Sequence, residues 1–108
     1  MSMGMIPTGY INPQVIASEI ERAIQKLGPE VVRVKYKVGE DTSGEPAIYF
    51  RIVLVDSAAG VDGFGDVAEN ISDTLFDELR PNENWGLRSY FRYRSQSEQA
   101  KMNDPDWA

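Results

Sequence analysis

The sequence predicts an α+β domain of two layers, with elements in the order α-β-β-α-β, a mainly antiparallel three-stranded sheet and two helices on one of its faces. Three observations lead there. Residues 31–38 alternate apolar and basic side chains strictly, the mark of a half-buried strand. Residues 47–56 are dominated by aromatic and β-branched side chains between Pro46 and Ser57, which favours a strand over a short buried helix. Two further stretches, starting near Asn12 and Asp66, repeat apolar residues at the helical spacing instead.

Size and composition bound the rest. A chain of 108 residues fits one domain able to bury a core without disulfides, and it has no Cys to form them. With neither Cys nor His, thiol nucleophiles, Cys/His zinc sites, imidazole bases and the Ser-His-Asp triad are excluded. The opening residues have no basic region and no sustained apolar run, and no segment approaches the length of a membrane span, so a cytoplasmic protein without signal peptide or membrane partner is expected. No cofactor is implied. A net charge of −6 argues against indiscriminate nucleic-acid binding.

In chain order, residues 1–10 are expected to be a flexible segment, residues 11–94 the domain, and residues 95–108 a tail packed on it. Asn12 and Pro13 read as the N-cap and first position of a helix whose apolar face is Ile16, Ile20, Ala23, Ile24 and Leu27, ended by Gly28-Pro29. In the first strand Val32, Val34, Tyr36 and Val38 face one way and Arg33, Lys35 and Lys37 the other. A polar loop, Gly39–Pro46, leads to the second strand, where Ile48, Phe50, Ile52 and Leu54 oppose Tyr49, Arg51, Val53 and Val55. The acidic trio Glu40, Asp41 and Glu45 does not have the spacing of an EF-hand loop and reads as a solvated tip. Glycines 60, 63 and 65 supply a turn; the order G-x-x-G-x-G with Asp62 and Asp66 nearby does not suit a phosphate loop.

The second helix, from about Asp66 to Leu79, has the stripe Phe64, Val67, Ala68, Ile71, Leu75 and Leu79 and an acidic opposite face, and Arg80-Pro81 stops it. A loop through Gly86 precedes the third strand, with Leu87, Ser89, Phe91 and Tyr93 toward the core and Arg88, Tyr90, Arg92 and Arg94 away from it. The tail reads as irregular, with a helical turn around Ser97–Lys101 and Trp107 available to pin its end.

Aligned face to face, the three alternations collect Arg33, Lys35, Lys37, Tyr49, Arg51, Arg88, Tyr90, Arg92 and Arg94 on one sheet surface, seven of the chain's 11 Lys and Arg residues. Arg and Tyr are enriched where proteins meet, so this face suits a protein partner or a second copy of the chain in a homodimer. Single-stranded RNA, with Tyr rings stacking on bases, is the alternative. A third reading has the tail, with Glu98, Asp104, Asp106 and Trp107, folding over the face and neutralising it. An enzyme finds least support, because no nucleophile-base pair or paired carboxylates stand out; no catalytic residue and no metal ligand is assigned. Val53 and Val55 make one end of the face apolar, which predicts a cover there.

The segments Gly44-Glu-Pro-Ala-Ile-Tyr-Phe-Arg51 and Ser89-Tyr-Phe-Arg-Tyr-Arg-Ser-Gln-Ser-Glu-Gln99 resemble a group of small bacterial proteins of unassigned activity, over roughly residues 31–108. That resemblance implies no catalytic residues. The element order is also similar to that of KH-related domains, and Gly60-Val-Asp-Gly63 has the outline of their G-x-x-G loop. It departs from the KH pattern in following a strand and in carrying Asp62 where a basic residue would meet phosphate.

Overall fold

A computed structural model describes residues 12–59 and 64–107. The expected flexible segment 1–10 and the Gly60–Gly63 loop lie outside the described residues. The fold is α+β, with a three-stranded sheet of order β1-β2-β3: β1 is Val31–Glu40, β2 Pro46–Leu54 and β3 Arg88–Ser95. Helices α1 (Pro13–Ile24) and α3 (Phe64–Leu79) cover one face. Three short helices, α2 (Asp56–Ala59), α4 (Pro81–Trp85) and α5 (Gln96–Met102), adjoin β3.

Local chemistry sets the elements. Asn12 Oδ1 accepts from the Gln14 amide at 2.8 Å and Pro13 occupies the first turn of α1. The β1–β2 turn is shorter than its composition suggests. Gly44 N donates to Asp41 O, Gly44 takes φ +82°, and Asp41 N closes the hairpin on Glu45 O, so only residues 41–45 leave the ladder. A residue with a Cβ is strained at that φ, hence glycine. At the far end of α3, Arg80 turns left-handed at φ 41° because Pro81 bars the preceding residue from continuing the helix.

The core lies between the helices and the even-numbered face of β1 and β2. Ile48, Phe50, Ile52 and Leu54 are fully buried there against Ile16, Ile20 and Ala23 of α1 and Ile71, Leu75 and Leu79 of α3, with Val34, Tyr36, Phe91 and Tyr93 partly buried around them. Phe50 and Phe91, opposite each other on β2 and β3, stack at 5.2 Å. Arg22 and Lys26 of α1 meet Glu78 of α3 at 3.1 and 3.8 Å across the helix layer.

The pairing differs from the mainly antiparallel expectation in one respect. β1 and β2 are antiparallel, but β3 runs parallel to β2, making the sheet mixed. The physical reason is the connection: α3 lies between β2 and β3 and returns the chain to the starting end, as parallel neighbours require. The segments expected as loops at Asp56–Ala59 and Pro81–Trp85 each wind a short helix, and the tail is more regular than irregular, with α5 followed by a 3-10 turn at Pro105–Trp107. No helix among the described residues is long and apolar enough to cross a membrane.

Candidate binding face

Side chains alternate along each strand, and the register carries that alternation across the sheet. Lys35, Arg51 and Arg92 form one row, Lys37, Tyr49 and Tyr90 the next, Arg33, Val53 and Arg94 a third, and Gly39, Ala47 and Arg88 a fourth. All nine expected face residues therefore lie on the side of the sheet opposite α1 and α3. The register is unbroken from Glu40 to Arg33, and the bulge between Val31 and Arg33 lies beyond the β1 cations, setting Val31 opposite Leu54.

The four rows are in different chemical states. In the second, Tyr49 and Tyr90 stack at 5.3 Å with rings 19° apart. Both hydroxyls are engaged: Tyr49 donates to Glu40 O at 2.9 Å and Tyr90 to Asp41 Oδ2 at 2.8 Å. Asp41 also accepts from the amides of Ser43 and Glu45 and lies 3.7 Å from Arg88. These contacts, led by the Glu45 amide and the Tyr90 hydroxyl, hold the Asp41 carboxyl below its ordinary value and push the Tyr90 phenol above its own. The acidic tip thus has a structural use. No group of carboxylates placed to hold a metal occurs among the described residues.

The row containing Val53 is covered. Trp107, 5% exposed, accepts through its carbonyl from Arg33 Nε at 2.8 Å, and its ring lies under the Arg94 guanidinium at 4.2 Å. Arg33 and Arg94 flank Val53 in register, so the tryptophan is held over that valine, which is fully buried outside the main core. Arg94 also meets Asp104 at 3.5 Å and Gln99 Oε1 at 3.0 Å, while buried Gln99 donates to Asp104 O at 2.8 Å. α5 itself starts with a capping box formed by Ser95 and Glu98, and Ser97 N donates to Asp56 Oδ1 at 2.8 Å, tying the tail to α2.

The remaining row is bare. The side chains of Lys35, Arg51 and Arg92, and of Lys37 beside them, make no ion pair or hydrogen bond among the described residues. Lys35, Lys37 and Arg92 are exposed and Arg51 is half-buried. An open groove of about 520 Å³ runs from Lys37 and Tyr49 past Arg51 and Arg92 to the Trp107 end, where Asp104 and Asp106 form its acidic lip. Sequence reasoning placed Asp104 in the tail over this face, where it meets Arg94, but missed Asp41 and Gln99 as parts of this surface. The Asp41-x-x-Gly44 turn pattern and the Ser95-x-x-Glu98 cap are the signals that point toward two of the segments involved.

No family model matches the chain, and no curated protein or solved structure is significantly similar to it.

Proposed function

We propose that this protein is a noncatalytic cytoplasmic interaction module whose basic sheet face receives an acidic segment of another protein. The observation that carries the reading is the row Lys35–Arg51–Arg92. Like charges directly opposite one another on paired strands destabilise a sheet by a few tenths to about 1 kcal/mol per pair. Here three cations sit side by side and no carboxylate among the described residues lies within ion-pair distance of them, the nearest acids of the groove being on its lip, although the chain has 17 acids to draw on. A local cost without direct ion pairing is the expected signature of a binding surface.

The adjoining rows show what the face accepts. Where the chain's own tail meets it, the contacts are an aspartate on Arg94 and an aromatic ring under the same guanidinium. An acidic protein segment would extend that chemistry along the groove. A base-stacking role for the tyrosines is less well supported, since the two rings are stacked on each other and Tyr90 is bonded to a carboxylate that would repel phosphate.

The test is calorimetric titration of the protein with an oligoglutamate peptide and, separately, with single-stranded RNA, each at several salt concentrations. The peptide is expected to bind with an affinity that falls as salt rises, and Arg51→Glu with Arg92→Glu should weaken it by about tenfold or more, about 1.4 kcal/mol. Peptide binding untouched by the double substitution, or RNA binding that is lost with it while the peptide does not bind, overturns the reading.

A further inference from the structure

The geometry points to a second component of recognition at the outer edge of β1, unpaired among the described residues, which we infer takes an extended segment of the partner as a fourth strand, one alternating acidic and apolar residues. This rests on the reading of the sheet face as a protein-binding surface and names how the partner would be held. β1 stands at the end of the sheet order, and its one extensive neighbour among the described elements is β2. The other edge is differently placed, because α2, α4 and α5 all adjoin β3. An edge strand presents unpaired backbone N–H and C=O groups along its length, and a peptide that pairs with them gains main-chain hydrogen bonds while its alternate side chains set specificity.

The two faces of β1 define what those side chains are. On the groove side stand Lys35 and Lys37, exposed and without an acidic partner among the described residues, with Arg33 next in line. On the helix side Val34 and Tyr36 are only partly buried and Val38 is 39% exposed, so the apolar layer stops short of covering its own edge strand. A neighbouring strand with carboxylates on one side and aliphatic groups on the other would neutralise the first row and complete the second. The chain's own residues 1–11 contain no Asp or Glu and do not supply that pattern. A second copy of β1 does not supply it either: paired antiparallel, it sets Lys against Lys or basic residues against the apolar layer.

The test uses a peptide of alternating Glu and Val matched in length to β1, a scrambled peptide of the same composition, and two peptides N-methylated on alternate residues so that one or the other strand edge cannot hydrogen-bond. Binding is followed by calorimetry and by amide hydrogen exchange. The alternating peptide is expected to bind about tenfold or more tighter than the scrambled one and to protect amides of β1 but not of β3. One N-methylated peptide should lose that advantage and the other keep it. Equal binding of all four peptides, or no binding of the alternating one, overturns the inference, and in the first case the charged face alone remains as the explanation. Binding of the alternating peptide that survives Arg51→Glu with Arg92→Glu, when oligoglutamate binding is also unchanged by that pair, leaves the edge standing and removes the face.

Discussion

A single carboxylate organises the open end of the sheet. Asp41 takes two amides of its own turn and then reaches across β2 to Tyr90 on β3, so one residue couples the hairpin tip to the far strand. Its carboxyl is held low chiefly by the Glu45 amide and then by Tyr90. A carboxyl whose folded value lies below its unfolded one adds stability that is fully present above the ordinary carboxylate range and is lost as pH falls through the folded value. Asp56, held down by Ser97, and Glu98, held down by Ser95, act with the same sign. Tyr90 runs the other way: its raised phenol, owed first to Asp41, contributes below about pH 10 and is lost as pH rises through the raised value. Asp41→Asn should therefore lower stability at neutral pH, converge with the parent protein in strong acid, and bring the Tyr90 titration back toward the ordinary range. Urea unfolding across pH and ultraviolet titration of tyrosine read these out, and parallel stability curves for the two proteins at every pH would remove the coupling.

Among the elements, the tail separates anchoring from decoration. α5 ends at Asn103, which turns left-handed at φ 51°, and the reversal brings Pro105–Trp107 back over the β2–β3 seam. Trp107 is the anchor, with Arg33 and Arg94 on either side of it and Val53 beneath. Buried aromatics truncated to Ala cost 3–5 kcal/mol in cores, and a ring on the outer face of a sheet belongs at the low end, so Trp107→Ala should cost about 3 kcal/mol. Chemical denaturation measures it, and a loss below about 1 kcal/mol would mean that the tail rests on the sheet without holding it. This element also marks what sequence made legible. The tryptophan and the apolar position Val53 were both readable, because an aromatic residue in a polar tail and a valine on a basic face are each anomalous alone, whereas Val55, expected beside Val53, lies beyond β2 and packs against the main core. α2 and α4 were not, since four and five residues are too short to display a helical period. Strand order was only half legible. Alternation assigns each side chain to a face but says nothing about neighbours, whereas the helix between β2 and β3 is itself the sign of a parallel pair. Asp41 escaped because it acts on Tyr90, a partner far along the chain, and no local pattern records such a contact.

At the scale of the whole molecule, charge is sorted by layer, with the acids of α3 on one side and the bare cations on the other. That sorting bears on how the protein avoids itself. A three-stranded sheet has two edges, and an uncovered one is a template for pairing with another copy. β1 is defended by its own side chains: antiparallel pairing with a second β1 that keeps the apolar faces together must also bring Lys35 and Lys37 against the like residues of the other copy, each direct opposition costing up to about 1 kcal/mol. Lys35→Thr with Lys37→Thr removes that defence while leaving a good strand former at both positions. The exchange takes the net charge from −6 to −8, two positive charges fewer, and so increases overall repulsion between copies. The global and local terms thus predict opposite results. If edge repulsion decides, sedimentation velocity should show the variant gaining mass with concentration more steeply than the parent protein, with new exchange protection confined to β1. A variant that associates no more than the parent would mean that β1 is kept single by something other than its lysines.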